Sequence, residues 1–445
     1  MRSRAIESFQ DRLERVSLAP LIHTQKTYYL FVFLLLATVA WGLYAYAIQL
    51  RYGLVTTGLG DQVMYGVYIV NFVFFIGISY AGALVSAILR LTNAGWRSPI
   101  TRISEIIAVG GLTDGALQPI IDLGHPERAW HIIAYGRFQS PLLWDIIAIT
   151  TYLVGSLLYL YLPLIPDLAL ARDRLGQSAS GFKRKIFTVF AVGWQDTPDQ
   201  RKRLNRAIGI MAIMIIPLAV SVHTVVAFIF SMTLRPGWNS TIYGVYFVIG
   251  AVFSGTAVLL IVIAIFRKVY HFEEYIKEKH FRNLGYMLLA LLLLYLYLTF
   301  TEYLTGGYKM EEGEEQLLTL VMLGKNAPWF WFFVIAGMIV PAFLLIFSKL
   351  KTIPMVLIAA VLVVLGMWVK RYIIIVPTLE VPLMPFEFGS YSPTWVEISI
   401  GLATLAGFSV MVTLAAKFMP LVSVWELKEE AEKETHHKEE AEGQR

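Results

Sequence analysis

The chain has 445 residues and a formal net charge of +5; 57% of its residues are hydrophobic and only 16% are charged. A soluble domain carries roughly 25% charged residues, so this composition excludes an ordinary soluble protein and indicates a polytopic membrane protein. The sequence contains no cysteine, which excludes disulfides, thiolate-held iron–sulfur clusters and a cysteine nucleophile.

Residues 1–27 predict a cytoplasmic amphipathic arm. Ile6, Phe9, Leu13 and Val16 are three or four residues apart and therefore share one face of a helix. A helix of this kind lies on a membrane surface or on a partner protein. The arm lacks the apolar core of a cleavable signal peptide, so we expect it to remain part of the protein.

Ten apolar segments follow, each about 20 residues or longer, which is the length that crosses a bilayer as a helix. We therefore expect an all-α integral membrane fold with about ten transmembrane helices. The predicted spans are residues 28–50, 65–90, 100–121, 140–165, 204–231, 240–266, 283–304, 329–348, 353–376 and 394–418.

Lysine and arginine residues concentrate in alternate connections, and this bias predicts the orientation of the chain. We place both termini in the cytoplasm and residues 122–145 outside. The positive net charge is accounted for in this way and requires no nucleic-acid partner. The basic and aromatic loop 172–206 is predicted to lie on the anionic lipid of the inner leaflet. The charged tail 426–445 is predicted to be solvated or disordered.

A short pattern is repeated at the start of two spans. The letters YGVY occur at 65–68 and again at 243–246, where the second and the sixth span begin. Parallel repeats of this type are a known membrane architecture. We expect two four-helix bundles, one from the second to the fifth span and one from the sixth to the ninth, plus two additional helices. The predicted domains are the arm 1–27, a first half with the first bundle at 28–231, a second half with the second bundle at 232–420, and a charged cytoplasmic tail at 421–445.

The densest group of polar residues near the spans is the run DLGHPERAWHIIAYGRFQSPLLWD, from Asp122 to Asp145. Burying such groups without partners costs several kcal/mol each, so they lie at a water interface or around a polar ligand. Two interpretations are open: a hydrated loop outside the membrane, or a binding site beneath that loop.

The outer ends of the second, third and fourth spans bring several of these residues to a similar depth, together with an asparagine about two turns into the second span. A quinol head group needs one group that accepts a proton, for which histidine or aspartate is suited, and another that orients its ring. Asp122, His125 and Asp145 are therefore open as candidates for the proton acceptor. The candidate binding residues are Asn71, Tyr80, Asp122, Arg137 and Trp144, and no metal ligand is predicted.

Polar residues of the second half predict a separate charged cluster. Lys370 and Arg371 lie near the outer end of the ninth span, while Glu302 and Glu397 lie at the ends of the seventh and tenth spans. Mutual ion pairs are the expected arrangement, and a proton or ion path is the alternative. His223 is the only histidine within a predicted span, which excludes a bis-histidine haem. We therefore expect no haem, no iron–sulfur cluster and no metal in this chain.

With these residues identified, the chain resembles the NrfD/PsrC family, the membrane subunits of polysulfide reductase, of related molybdoenzyme complexes and of alternative complex III. The likeness extends from about residue 60 to about residue 420. The segments that carry it are YGVYIVNFVFFIGISYAGALVSAIL, DLGHPERAWHIIAYGRFQSPLLWD, IPLAVSVHTVVAFIFSM followed by PGWNSTIYGVYFVIGAVFSG, and GMWVKRYIIIVPTL with YSPTWVE further on. The ten-span layout is most similar to the ActC and ActF subunits of alternative complex III.

The resemblance implies a quinone, menaquinone or ubiquinone, as substrate in the first bundle near the outer face. It also implies an iron–sulfur partner on that face, a further molybdopterin-type or cytochrome c-containing subunit, and the inner membrane of a prokaryote. Asn71 matches the asparagine with which the family binds quinone, and Asp145 matches the aspartate of the family's outer motif. Phe74 and Tyr80 stand where relatives carry histidine, which leaves His125 and Asp145 as the better candidates for the proton acceptor.

The predicted function is a quinol- or quinone-binding integral membrane subunit of a respiratory oxidoreductase complex. It would pass electrons between the quinone pool and an iron–sulfur partner and would not be active alone. Either direction of electron flow fits the sequence, and proton translocation is left open. The alternatives are a secondary transporter and a passive membrane anchor. A transporter is expected to have helices broken at corresponding places of its two halves, and Pro217 and Pro341 lie in the fifth and eighth spans, which do not correspond.

Overall fold

The structure is a computed structural model that describes residues 2–175, 180–311, 313–347, 352–384 and 386–431, with the side chains of α1 described from residue 11 onward. The described residues form helices and contain no strand. The helices are α1 (Arg2–Ile22), α2 (Lys26–Tyr52), α3 (Val67–Leu91), α4 (Ser98–Asp122), α5 (His131–Ala134), α6 (Pro141–Leu175), α7 (Gly181–Phe190), α8 (Pro198–Ser231), α9 (Tyr243–Val269), α10 (Glu278–Lys309), α11 (Glu314–Met322), α12 (Ala327–Val334), α13 (Val340–Ile346), α14 (Ile353–Glu380) and α15 (Trp395–Phe418). A π-helical segment, Ile335–Ile339, joins α12 to α13.

Nine helices in the described part of the chain are long and apolar enough to cross a membrane. A tenth is reached when α4 is counted together with the segment Pro126–Ala134, which turns away from it by 108°. The charged side chains of Arg102, Glu105 and Asp114 lie within α4, so this helix is less apolar than the others. The prediction of an all-α integral membrane fold with about ten spans is confirmed.

The long helices pack as two groups of four with a further pair. α3, α4, α6 and α8 form the first group, and α9, α10, α14 and the α12–α13 span form the second. α3 and α8 contact α9, so the two groups meet along these helices. α2 and α15 form the additional pair, and α15 packs on α3 and α4. The division into domains at the predicted boundaries remains a prediction.

Small residues allow the closest helix approaches. Gly82 of α3 lies against Ser104 and Ala108 of α4, and Gly255 of α9 lies against Ala81 of α3. A side chain at either glycine would overlap the facing helix. Because apolar side chains gain little from leaving lipid, such close backbone contacts are a main source of helix association in a membrane.

The N-terminal arm and the basic loop meet at one end of the molecule. Leu18 and Leu21 of α1 are buried in a cluster with side chains of α6, α7 and α8. Lys183 of α7 donates a hydrogen bond to the carbonyl of Leu21, at 2.5 Å. We call this end of the helices the inner end and the end beside residues 123–140 the outer end, as in the predicted topology. The orientation itself remains a prediction.

The chain after α15 returns to the inner end of the first group. Glu426 is 2% exposed, and its carboxylate lies 2.8 Å from the guanidinium of Arg90 and 3.3 Å from that of Arg97. These two ion pairs hold the segment against the helices. The prediction that the tail is solvated from residue 426 onward is therefore wrong for the first residues of the tail. The rest of the tail, residues 432–445, lies outside the described residues.

Candidate functional site

Asn71 lies on α3 near its outer end and is 5% exposed. Its Oδ1 accepts a hydrogen bond from Nε1 of Trp368 on α14, at 2.9 Å. Its Nδ2 donates no hydrogen bond to any described residue and faces Gly401 of α15, where an added Cβ would lie 3.4 Å away. The indole therefore orients the amide and leaves its N–H groups for another acceptor.

Two further polar side chains project from α4 towards α15. Gln118 donates from Nε2 to Oγ1 of Thr404 at 3.1 Å, while its Oε1 is buried without a hydrogen-bond partner in the described structure. Asp114 is 5% exposed, and its Oδ2 also has no such partner. Its Oδ1 faces Gly407, where an added Cβ would lie 3.5 Å away. Spacings of four residues place Asp114, Gln118 and Asp122 on one side of α4.

The outer end of this interface carries two carboxylates. Asp122 ends α4, its Oδ1 has no hydrogen-bond partner among the described residues, and it lies close enough to Glu397 of α15 to feel that charge. Glu397 is fully buried and accepts hydrogen bonds from the hydroxyl of Tyr391 at 2.6 Å and from the backbone N–H of Gly58 at 2.7 Å. Burial, and then the charge of Glu397 and the hydrogen bond to it, raise the pKa of Tyr391. The tyrosine therefore keeps its proton at neutral pH and acts as a donor.

We call the interface formed by Asn71, Asp114, Gln118, Asp122 and Glu397 the outer seam. Three of its buried polar atoms find no hydrogen-bond partner within the described ranges: Oδ2 of Asp114, Oε1 of Gln118 and Oδ1 of Asp122. Buried polar groups in native structures are nearly always hydrogen-bonded. This concentration of unsatisfied atoms between apolar helices therefore indicates a place for water or a polar ligand.

Asp145 faces a different neighbour. It is 7% exposed, and its Oδ1 is without a hydrogen-bond partner in the part of the chain described. Seven residues further along α6, the hydroxyl of Tyr152 donates to the carbonyl of Ser79 on α3, at 3.2 Å. Because seven residues are about two helical turns, Asp145 points to the same side of α6 as Tyr152. Asn71, in contrast, faces α14 and α15.

The predicted residues of the outer loop lie at the surface. His125 has a side chain that is 67% exposed, and its Nδ1 lies 2.8 Å from Oε1 of Glu127. Arg137 is exposed as well. Trp144 is half-buried, and its Nε1 donates to the carbonyl of Phe138 at 2.5 Å. The structure thus separates His125 and Arg137 from the buried carboxylates.

Tyr80 lies where the two groups of helices meet. It is 1% exposed, and its ring centroid is 4.6 Å from that of His223 on α8. His223 in turn feels the charge of Arg371 on α14, which donates a hydrogen bond to the hydroxyl of Tyr295 at 3.5 Å. Tyr80 therefore belongs to a polar junction between the two groups of helices. It lies on the side of α3 opposite to Asn71, because the nine residues between them make two and a half helical turns.

The ion pairs predicted for the second half do not form. Nζ of Lys370 donates to the hydroxyl of Tyr303 at 2.9 Å and lies 4.6 Å from the centroid of that ring. Glu302 accepts a hydrogen bond from Ser240 at 2.7 Å, and Glu397 is held in the outer seam. No salt bridge joins these charges in the described residues. Aromatic rings stabilise the buried ammonium group instead, because the ring face attracts a cation.

Several residues that shape the outer seam are absent from the sequence-based prediction of the site, among them Asp114, Gln118, Trp368 and Gly401. A tryptophan in an apolar span is typical of an interface anchor and gives no sign of a buried hydrogen bond. Gln118 does have a sequence signal, because it stands four residues from both Asp114 and Asp122. That spacing marks a polar stripe on an otherwise apolar helix.

A comparison with protein families matches this chain to polysulphide reductase, NrfD, over residues 55–382. The matched range begins before α3 and ends just after α14. It therefore contains both groups of four helices and the α3 and α4 residues of the outer seam, while α15 lies beyond it. Among the described residues, no three metal-ligating side chains come together.

Relatives cover most of the chain. A subunit of selenate reductase from Mesobacillus selenatarsenatis is 27% identical over 401 residues, which are 85% of this chain and 91% of that protein. The integral membrane subunit of menaquinone reductase from Nitratidesulfovibrio vulgaris is 26% identical over 428 residues, 93% of this chain and 95% of that protein. The Hdr-like menaquinol oxidoreductase integral membrane subunit of Archaeoglobus fulgidus is 23% identical over 331 residues, 72% of each chain.

The family match covers well over half of the sequence and confirms the resemblance drawn from its motifs. The closer likeness to ActC and ActF of alternative complex III stays a prediction. The chain belongs to the NrfD family of polysulphide reductase.

Proposed function

We propose that this chain is the quinone-binding integral membrane subunit of a reductase complex, in which it exchanges electrons between a membrane quinone and a partner subunit. Two relatives are named as integral membrane subunits of a menaquinone reductase and of a menaquinol oxidoreductase. Their names support a quinone as the substrate class and favour menaquinone over ubiquinone. The proposed location is the inner membrane of a prokaryote, with both termini in the cytoplasm.

The observation that carries the proposal is the outer seam. It combines an amide donor on Asn71 with the unpaired carboxylate oxygens of Asp114 and Asp122, all between apolar helices, with Asp122 at the outer end of α4 and Asp114 about two turns deeper. A quinone head group has an oxygen at each end of an apolar ring, so it needs a donor, a proton acceptor and apolar walls.

In the proposed arrangement, the head group lies between α3, α4 and α15. Nδ2 of Asn71 donates a hydrogen bond to one quinone oxygen and so fixes the ring. Oxidation of a quinol releases two protons and two electrons. Asp122, at the outer end of the seam, accepts the protons in turn and returns them to water outside, and the electrons leave to the partner. Quinone reduction is the same sequence reversed.

Asp145 offers a second position for the same head group, on the α6 face. Its carboxylate is also buried with an unpaired oxygen. Trp144 borders that position at the rim. His125 is a weaker candidate for the proton acceptor there, because it is exposed and already bonded to Glu127.

We propose that the partner subunit docks on the outer loop. Trp130, Ile133, Tyr135 and Phe138 are 55%, 74%, 73% and 76% exposed, although they are large and hydrophobic. An apolar group of this size on an extramembrane loop is typical of an interaction surface. An iron–sulfur protein is the proposed occupant, because an electron acceptor must lie near the quinone and this chain has no cysteine to hold a cluster. A molybdopterin-type or cytochrome c-containing subunit would lie beyond it.

The transporter alternative is disfavoured by the shape of the helices. The π-helical segment Ile335–Ile339 interrupts the third span of the second group. Its counterpart in the first group, α6, is continuous from Pro141 to Leu175. A transporter built from repeats is expected to carry matching interruptions in both halves.

The experiment is steady-state turnover of the assembled complex with quinol in three variants, Asn71→Leu, Asp122→Asn and Asp145→Asn. We expect Asn71→Leu to raise KM for quinol roughly tenfold, because one hydrogen bond to the substrate is lost. Asp122→Asn is expected to lower kcat about a hundredfold, as for a lost general base. Asp145→Asn is expected to change both constants less than about twofold, within the spread of neutral substitutions.

The matched control is Asn205→Leu, which changes an exposed asparagine at the inner end of α8. A loss of turnover in Asp145→Asn alone would show that the head group binds at the α6 face and not in the outer seam. If all three variants had the KM and kcat of the wild-type complex, the chain would be a passive membrane anchor, and the proposal would be wrong.

A further inference from the structure

A cavity lies at the inner end of the molecule, away from the outer seam. Its volume is about 600 Å³, and it opens between the connection from α1 to α2, the end of α9 and the end of α15. Lys417 of α15 lines it on the protein side, and His23 and His271 line it towards the inner end. None of the functional residues discussed above takes part in it.

Lys417 is a buried cation whose described neighbours include no carboxylate partner. It is 8% exposed, and its Nζ donates to the carbonyls of Pro20 at 2.8 Å and of His23 at 3.0 Å. The ring centroid of Tyr28 lies 4.6 Å from the same atom. An ammonium group has three N–H donors, and no salt bridge to Lys417 occurs in the described residues. A buried charge in this state is stabilised by an anion that takes the remaining donor.

The surroundings of Lys417 are positive as well. All the residues that line the cavity lie in the described ranges, and none of them is aspartate or glutamate. Lys183 of α7 is close enough to repel the charge of Lys417. The cavity therefore complements a negative ligand and disfavours a neutral or cationic one.

The open side of the cavity is apolar. Phe31 of α2 and Ile265 and Val269 of α9 line it and are 50%, 52% and 54% exposed. α2 and α9 both have the length and composition of membrane spans, so these exposed side chains face hydrocarbon. A ligand here has an anionic group beside Lys417 and an apolar part along α2 and α9.

We propose that this cavity binds one anionic phospholipid of the inner leaflet, with its phosphate on Lys417 and an acyl chain between α2 and α9. Charge complementarity selects this ligand over a quinone, which has the apolar part and lacks the charge. The lipid would fix the arm α1 against α15, because Lys417 also binds the carbonyl of Pro20 in the last turn of α1 and that of His23 just after it. The inference is independent of the quinone proposal.

The experiment is native mass spectrometry of the delipidated full-length protein in detergent, titrated with phosphatidylglycerol or with phosphatidylcholine of the same acyl chains. Wild-type protein is expected to bind one phosphatidylglycerol about tenfold more tightly than phosphatidylcholine. Both phosphates can accept a hydrogen bond from Lys417, but the choline of phosphatidylcholine adds a cation to a cavity that has no carboxylate and lies beside Lys183. Lys417→Gln is expected to remove that preference. The matched control Lys268→Gln, an exposed cation at the same end of α9 that does not line the cavity, is expected to keep it.

A second variant covers the case in which Lys417→Gln does not fold. Thr27 lines the cavity and is exposed, so Thr27→Trp narrows the cavity without disturbing the core. It is expected to weaken phosphatidylglycerol binding about tenfold. Equal binding of the two lipids by wild-type protein would overturn the proposal. Full retention of phosphatidylglycerol by folded Lys417→Gln or by Thr27→Trp would overturn it as well.

Discussion

At the scale of single residues, the proposed site depends on how Asn71 is held. A primary amide between transmembrane helices needs partners for both its oxygen and its nitrogen. Trp368 supplies the partner for the oxygen and thereby determines which way the amide points. The nitrogen faces Gly401, which has no side chain of its own to accept its hydrogen bonds. The result is an oriented donor with no acceptor of its own among the described residues.

Removal of the indole N–H tests this role. In Trp368→Phe the amide of Asn71 loses its anchor and can turn over, so KM for quinol is expected to rise about threefold while kcat stays near the wild-type value. Trp395→Phe, at an exposed tryptophan at the start of α15, is the control. A fall in kcat with unchanged KM, measured in the same turnover assay, would show that Trp368 does not position a substrate-binding group.

The sequence predicted which residues are buried and polar better than it predicted their partners. Asn71, Asp122 and Asp145 are recognisable because each interrupts an apolar span or ends one. Lys370 shows the opposite case: opposite charges at one depth suggested ion pairs, yet the nearest group is the ring and hydroxyl of Tyr303. A sequence gives depth along a helix, while the choice between a carboxylate and an aromatic ring depends on which helix lies opposite.

At the scale of elements, α15 is the helix that completes the seam. It lies beyond the range matched by the family comparison, and its sequence marks it only as an additional span. In the structure it pairs with α2 and presents Gly401, Thr404 and Gly407 to α3 and α4. These contacts could not be predicted, because an apolar helix does not reveal which of its neighbours a glycine faces.

The outer loop is the other element with a specific expectation. Phe138 is 76% exposed, so Phe138→Asp leaves the fold intact and places a charge in the proposed partner interface. We expect the amount of co-purifying partner subunit to fall at least about fivefold, equivalent to about 1 kcal/mol. Phe182→Asp, at a residue 69% exposed on α7 at the inner end, is the matched control. Equal partner retention in both variants, measured by quantitative mass spectrometry of the purified complex, would exclude this docking surface.

At the scale of the whole molecule, composition and hydropathy were enough to predict the class of fold. Long apolar segments must form helices in a bilayer, since every backbone polar group has to be satisfied within the segment. The number of spans and the two groups of four helices followed from that rule and from one repeated pattern. The separation of Asn71 from Asp145 onto different faces did not follow, because it is set by the rotation of each helix against its neighbours.

A map of the assembled complex with a bound short-chain menaquinone is the most direct measurement. We expect the head group between α3, α4 and α15, with one quinone oxygen within hydrogen-bond distance of Nδ2 of Asn71. A quinone head group bound beside Asp145 or elsewhere on the chain, with none in the outer seam, would contradict this expectation.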